Sequence, residues 1–303
     1  MADSSLFDAV RASILAQRNT PPIERVDRGQ LLPASFAQQR LWLMEQLDKA
    51  NAQHNLCVAF QITGNLNTAA LQDSLNAMVQ RHESLCTSFK WDADQLWQVV
   101  SPPSTSAIVM PQDNADTKAD IDCIAKHEAS QTFDIEHPPL LRCRLTGIDE
   151  PHHVLLLTFH HLAFDGWSFE IFMRELGVLY AAFSAGLPSP LSELSVQYAD
   201  FAVWQRKWLQ GQVLQDLQAH WLEKMTNPPA PLMISSIPKN LSARGRGNCL
   251  AFRFGAELNA ECKRIAQRES LTDFMFLLTA FNILLFRLSG EGDIIGHLEI
   301  PPK

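Results

Sequence analysis

The first two thirds of the chain alternate between helical and extended patterns of apolar residues. In the segment 68–83, Leu71, Leu75 and later apolar residues recur every three to four positions, which predicts an amphipathic helix. The segment 153–159 is almost continuously apolar and predicts a strand that is buried on both faces. A second amphipathic helix follows it, with Ser168 as the predicted N-cap. Further strands are predicted over 55–63, 95–100 and 140–146, and further helices over 4–17 and from 35 onward.

The last third of the chain contains two linkers and the beginning of a second lobe. Proline-containing stretches at 186–192 and 227–247 flank a tryptophan-rich segment, 196–225, that is predicted to be helical. The elements predicted after the second linker are a strand over 250–254, a helix from Leu258, a very apolar helix over 271–288 and a strand from Asp293.

Composition and charge argue against several classes of protein. The chain has 25 Lys and Arg against 33 Asp and Glu, a net charge of −8, and no basic stripe, so neither nucleic acid nor a membrane surface is an expected partner. Its longest apolar run, 274–286, is too short to span a bilayer and predicts a buried helix. The amino terminus, with Asp3 and Asp8, does not have the pattern of a signal peptide. Six cysteines without a C-x-x-C pair predict free thiols in a reduced, cytoplasmic protein.

The strongest chemical signal is His160-His161-x-x-x-Asp165-Gly166, where the buried strand ends. Consecutive side chains of a strand point to opposite faces, so one histidine is expected to face a cleft and the other the packed interior. An imidazole titrates near neutral pH and can orient or deprotonate an amine, hydroxyl or thiol. Asp165 is expected to fix the loop by turning back or by pairing with an arginine, and Gly166 to adopt a backbone conformation closed to other residues. These residues match metal-ligand spacings only weakly, and no metal is predicted.

This motif, in the form His160–Ser168, closely resembles the active-site motif of the condensation domains of nonribosomal peptide synthetases. Those domains share a superfamily with chloramphenicol acetyltransferase. Three further segments resemble family motifs in the family's order: 35–42 resembles the first, 81–89 the second and 198–204 the fourth. Because the resemblance continues through 274–296, it extends from residue 31 to nearly the end of the chain.

The resemblance implies an α/β fold with two chloramphenicol-acetyltransferase-like lobes, a mixed β-sheet flanked by helices, and a tunnel between the lobes. An upstream and a downstream carrier protein would insert their phosphopantetheine arms from opposite ends. One arm brings a peptidyl or acyl thioester, and the other brings an aminoacyl thioester whose amine attacks to form an amide. The domain itself would bind no cofactor, and an adenylation domain would be adjacent. The intact His160 and the Asp-Gly-Trp-Ser ending resemble the subtype that joins two L-residues.

The resemblance also implies a role for each residue of the motif. His161 corresponds to the histidine that faces the tunnel, with positioning of the amine as its first role and proton abstraction as its second. His160, Asp165 and Gly166 complete the site as structural groups, and Arg81 is the implied partner of Asp165.

Four parts are predicted: a leader helix and linker at 1–30, an N-terminal lobe at 31–186, inter-lobe helices and a linker at 187–247, and the start of a truncated C-terminal lobe at 248–303. Trp204 is expected to pack between the lobes. Cys86 stands where the family's second motif usually has an arginine, so any contact of that arginine is missing. The chain ends about where the fifth motif begins, which leaves the activity of this chain open.

Three alternatives stay open from the sequence. An epimerisation domain shares the two histidines and would differ beyond Lys303 or around Arg81. A truncated lobe could bind a carrier protein without catalysis, and it would then expose the apolar face of 271–288 and self-associate. A trimeric acyltransferase like chloramphenicol acetyltransferase fits the length but not the four motifs, and its native mass would identify it.

Overall fold

The computed structural model describes residues 20–47, 52–102, 105–115, 117–149, 151–234 and 252–295. Of these, the residues up to Gln215 form one compact unit and those from Asp216 form a second. The segment 187–215, predicted as part of the inter-lobe stretch, therefore belongs to the first unit. The leader helix predicted over 4–17 lies outside the described residues.

Two sheets form the framework of the first unit. The larger has the strand order β2-β7-β6-β5, in which only the pair β5–β6 is parallel, and the smaller is antiparallel with the order β1-β4-β3. The strands are β1 (Leu32–Pro33), β2 (Asn55–Thr63), β3 (Thr87–Asp92), β4 (Gln95–Val100), β5 (Gln112–Asn114), β6 (Leu141–Asp149) and β7 (His152–His160). The strands predicted over 55–63, 95–100, 140–146 and 153–159 are thereby confirmed.

Helices cover this framework and continue into the second unit. They are α1 (Phe36–Leu47), α2 (Thr68–Arg81), α3 (Lys118–Ser130), α4 (Gly166–Ser184), α5 (Tyr198–Trp208), α6 (Gly211–Lys224), α7 (Ala256–Arg268) and α8 (Asp273–Ser289). The side chain of Asn67 caps α2 by accepting from the Ala70 N–H, and a 3₁₀ turn at Glu83–Cys86 follows that helix. The predicted helical segment 196–225 is two helices, α5 and α6.

The core of the first unit is built on β7, which lies between β2 and β6. Every residue of β7 from Val154 to His160 is buried. Leu155, Leu157 and Phe159 pack in one cluster with the apolar faces of α2 and α4. Side chains alternate along a strand, so His160 lies on the opposite face from that cluster. This parity determines which of the two histidines enters the interior.

The second unit differs from its prediction in two respects. Leu285 of α8 is buried, but most other large apolar side chains of that helix are about half exposed, so the predicted buried helix is wrong. The predicted strands over 250–254 and from Asp293 are wrong where the structure describes them, because 252–255 and 291–295 are irregular. Strand hydrogen bonds need a neighbouring strand, and the described residues of this unit contain none.

The apolar character of α8 also raises the question of a membrane span. No single helix among the described residues is long and apolar enough to cross a bilayer. Only α7 and α8 taken together pass that test, and they are bent by 106° with respect to each other.

Candidate active site

The connection from β7 to α4 is held in shape by a helix cap. Asp165 is the N-cap of α4, and its carboxylate accepts from the Ser168 N–H at 2.8 Å and from the Ser168 hydroxyl at 2.6 Å. The Ser168 oxygen in turn accepts from the Asp165 N–H at 3.3 Å, which completes a capping box. The prediction that Ser168 is the N-cap is therefore wrong. Asp165 does fix the loop, as predicted, and it does so from within its own helix.

The implied pairing of Arg81 with Asp165 is also wrong. Arg81 ends α2 and donates from Nε to Glu175 on α4 at 2.9 Å, and it also donates to the carbonyl oxygen of Ser192. His82 donates from Nε2 to the same Glu175 oxygen at 2.7 Å. The capping box already occupies Asp165, whereas Glu175 lies on the stretch of α4 that packs against α2.

The Glu175 carboxylate is held in its ionised form. Burial alone raises its pKa, but the hydrogen bonds that Arg81 and His82 donate, together with the positive charge of Arg81, outweigh burial, so the pKa lies below its ordinary value. Burial lowers the pKa of His82 in spite of its carboxylate partner, which favours a neutral imidazole at neutral pH.

His160 occupies the interior, with 1% of its surface exposed. Its Nδ1 accepts from the Leu162 N–H at 3.2 Å, so the proton of the neutral ring is on Nε2. That Nε2 lies 3.8 Å from a carboxylate oxygen of Glu45, whose same oxygen accepts from His54 Nδ1 at 2.6 Å. Burial, with smaller contributions from His54, His161 and Arg142, lowers the pKa of His160 to about 4. His160 is therefore neutral near pH 7 and is unsuited to exchanging protons with a substrate.

His161 lines a cleft of about 330 Å³, and it is partly exposed. Its backbone N–H donates to the carbonyl oxygen of His54 at 2.9 Å, which fixes the residue's place at the end of β7. The predicted division between the two histidines, one facing a cleft and one facing the interior, is confirmed. Polar residues from other elements share the cleft with His161, namely His82, Ser84, Asp165, Ser168, Glu175, Gln197 and Tyr198.

Tyr198 is a residue of the cleft that sequence reasoning did not assign. Its hydroxyl lies 3.0 Å from the Ser35 hydroxyl, which joins the start of α5 to the start of α1. Burial raises the pKa of Tyr198, so its phenol keeps its proton and can donate a hydrogen bond. His82 and Glu175 were also not assigned. Tyr198 and His82 lie inside the segments 198–204 and 81–89, which resemble family motifs. That resemblance marks the segments, but it does not indicate which of their residues face the cleft.

The prediction for the backbone of Gly166 is corrected by the structure, and the prediction for the packing of Trp204 stays open. Gly166 is not among the described glycines with positive φ, so the predicted special backbone conformation is wrong. A Cβ at Gly166 would meet no atom within 4 Å. Trp204 donates from its indole N–H to the Pro21 carbonyl oxygen at 2.7 Å and stacks on Phe201 and Trp208. Its packing between lobes stays a prediction.

Metal-ligating residues do not cluster in the described part of the chain. No group of three or more His, Cys, Asp or Glu residues there is arranged to hold a metal ion.

Comparison with known proteins identifies the family. The model of the condensation domain matches residues 29–301, and the chain belongs to that family. One of the linear gramicidin synthase proteins of Brevibacillus parabrevis is 38% identical over 285 residues, which cover 92% of this chain and 6% of that protein. Phosphinothricin tripeptide synthetase PhsC of Streptomyces viridochromogenes is 34% identical over 297 residues, which cover 96% of this chain and 27% of that protein. The chain thus spans a small part of these synthetases.

Solved structures confirm the predicted fold class. The first condensation domain of the CDA synthetase superposes with a TM-score of 0.74 at 18% identity, over 88% of this chain and 64% of that one. The X-domain from teicoplanin biosynthesis, solved in complex with OxyB, gives a TM-score of 0.76 at 26% identity, over 90% of this chain and 60% of that one. The chain therefore spans about three fifths of these solved chains.

Proposed function

We propose that this chain carries the His161 centre of a condensation domain that forms an amide bond between two thioester-bound substrates. The observation that carries the proposal is the arrangement at the end of β7. His161 lines the cleft, while its neighbour His160 is buried and neutral. A single imidazole of this pair is thus available to a substrate. Membership of the condensation-domain family supports the same chemistry.

In the proposed reaction, the amine of an acceptor aminoacyl thioester attacks the carbonyl carbon of a donor peptidyl or acyl thioester. A C–N bond forms, the tetrahedral intermediate collapses, and the C–S bond breaks to release the donor arm as a thiol. An α-ammonium group has a pKa of about 7.7–8.0 and a histidine about 6.5, so a strong base is not needed. Positioning of the two tethered reactants supplies much of the acceleration. His161 therefore first orients the amine, and then takes the proton that the thiolate finally receives.

The other motif residues support His161 in this proposal. Asp165 holds the loop that follows His161 by capping α4, and His160 fills the interior beneath it. Arg81 acts through Glu175, which ties α2 to α4 beside the cleft. Gly166 leaves open space at the start of α4.

The proposed partners are an upstream and a downstream carrier protein, whose phosphopantetheine arms bring both substrates, and an adjacent adenylation domain. The large synthetases to which the chain is similar support this setting, since the chain covers only a small part of each. The proposed location is the cytoplasm, in keeping with the free cysteines of the described residues. The domain is proposed to bind no cofactor of its own.

The test is a product assay by mass spectrometry with one carrier protein loaded as donor and a second loaded as acceptor. We expect a dipeptidyl thioester with the wild-type chain and none with His161→Ala. His152→Ala, at the other end of β7, is the matched control and should leave product formation unchanged.

Three outcomes would contradict the proposal. Product that is unaffected by His161→Ala would remove the assigned role of His161. Carrier binding without any product would instead support a chain that keeps the fold and binds carriers without catalysis. Inversion of the donor residue without amide formation would indicate epimerisation.

A further inference from the structure

A second, smaller pocket opens from the His161 cleft. Its volume is about 90 Å³. It lies directly beside the cleft, because six of its lining residues also line the cleft: His82, Ser84, Ala163, Phe164, Ser168 and Ile171. Leu85 and Phe172 complete its wall. A group that reaches His161 in the cleft can therefore extend a side chain into this pocket.

The apolar wall of the pocket is part of the packed core. Leu85, Phe164 and Phe172 are buried, with exposed fractions of 1%, 7% and 2%. The Phe164 and Phe172 rings meet edge to face with centroids 5.8 Å apart, and Phe164 also stacks on Phe159 at 3.7 Å. Side chains packed in this way cannot move aside without disturbing their neighbours, so the size of the pocket is fixed.

Two of the three polar side chains at the pocket, Ser168 and His82, are already engaged, and Ser84 is the third. The Ser168 hydroxyl donates to Asp165, and His82 Nε2 donates to Glu175. Burial lowers the pKa of His82, so the imidazole adds no positive charge at neutral pH. A polar or charged substituent would lose its water here and could regain a hydrogen bond from one lining side chain, Ser84, whereas an apolar substituent gains by burial against Leu85, Phe164 and Phe172.

We infer that this pocket is a specificity site for a small aliphatic side chain on the thioester-bound residue that reaches His161. The size limit follows from its volume of about 90 Å³, which is well below the roughly 150 Å³ of an engineered apolar cavity that binds benzene. A branched group of three or four carbons fits, and an aromatic ring does not. The inference rests on the proposed function, since it assigns the side chain of that function's substrate.

The test measures the affinity of the whole chain for three non-reactive thioether analogues of an aminoacyl pantetheine. The analogues carry a methyl, an isobutyl or a benzyl side chain, and titration calorimetry gives each Kd. We expect the isobutyl analogue to bind roughly tenfold more tightly than either of the others, since hydrophobic pockets discriminate by about this factor.

Substitutions at Ile171 test whether the preference among the three analogues arises in the pocket. Ile171 lies on α4 and lines both the pocket and the cleft. Ile171→Ala should enlarge the pocket and improve binding of the benzyl analogue roughly tenfold, while Ile171→Phe should fill it and remove the advantage of the isobutyl group. Val178→Ala, an exposed position on the same helix, is the matched control and should leave all three affinities unchanged.

The possible results distinguish a failure of the specificity site from a failure of the proposed function. Equal affinity of the three analogues for the wild-type chain, or tightest binding of the benzyl analogue, would overturn the specificity site and leave the proposed function standing. Unchanged preferences in Ile171→Ala would do the same, even if Ile171→Phe fails to fold. Absence of binding by all three analogues would contradict the proposed function itself.

Discussion

The strand β7 and the helix α8 are about equally apolar in sequence, yet they differ fully in burial. β7 is buried from Val154 to His160, because sheet neighbours flank it on both sides and helices cover it. α8 exposes about half of Phe281, Ile283 and Leu284, among others, in the structure of this chain. An apolar sequence therefore indicates that an element is suited to burial. Whether the element is buried depends on the neighbouring elements that pack against it.

The largest expected effect is the difference in unfolding free energy lost when a leucine is truncated in β7 and when one is truncated in α8. Leu157→Ala removes a fully buried side chain from β7 and should cost about 3 kcal/mol of unfolding free energy. Leu284→Ala removes a half-exposed side chain from α8 and should cost less than about 1 kcal/mol. Denaturant unfolding gives the first value, and hydrogen exchange of the α8 amides gives the second. Equal losses would contradict the comparison and would indicate that α8 is covered in solution.

A second prediction uses the buried histidine of β7. The pKa of His160 is about 4 in the folded chain and about 6.5 when unfolded, so the unfolded chain binds the extra proton between these values. Stability should therefore be complete above pH 6.5, fall by up to about 1.4 kcal/mol per pH unit towards pH 4, and change no further from this group below that.

The measurement is the pH dependence of unfolding for the wild-type chain and for His160→Asn. The variant should lose this part of the slope, whatever its absolute stability. His127→Asn, on the exposed face of α3, is the control and should keep the slope. The second unit contains no buried histidine among its described residues, so exchange of the α8 amides should not follow this pH dependence. A slope that persists in His160→Asn would show that another group causes it.

The smallest expected effect concerns the N-caps of two helices, α4 in the first unit and α8 in the second. Asp165 accepts two hydrogen bonds at the start of α4, whereas Thr272 accepts one, at 3.2 Å, at the start of α8. Asp165→Ala should cost about 1 kcal/mol and Thr272→Ala about 0.5 kcal/mol. Thermal unfolding of each variant checks the order, and Asp165→Asn should retain most of the stability. A larger loss for Thr272→Ala would reverse the comparison.

Local patterns predicted much of the first unit and part of the site. The spacing of Leu71 and Leu75 predicted α2, and the apolar run at 153–159 predicted β7. The alternation of side chains along a strand correctly separated the environments of His160 and His161. These features depend on residues that are close in sequence, and for that reason the sequence is sufficient for them.

Features that depend on distant residues could not be predicted in the same way. The partner of Arg81 is Glu175, which is 94 positions away, and no local pattern distinguishes it from Asp165. The prediction of a strand at 250–254 was wrong for a related reason, since the described residues of its unit offer no strand to pair with.

For Cys86, the sequence predicted only that the contacts of an arginine are missing. Its thiol is buried and contacts the Glu83 carbonyl oxygen, and burial raises its pKa to about 11, so it is unreactive near neutral pH.

The cap at Asp165 also sets the electric potential at the edge of the cleft. The amino end of a helix carries a partial positive charge that attracts anions, and the Asp165 carboxylate is placed on that end of α4. The carboxylate offsets the partial charge, so α4 offers little attraction to an oxyanion in the cleft. Asp165→Asn would keep the shape of the loop and return that attraction. A change that leaves the loop's shape in place would thus make a nearly neutral helix end attract anions.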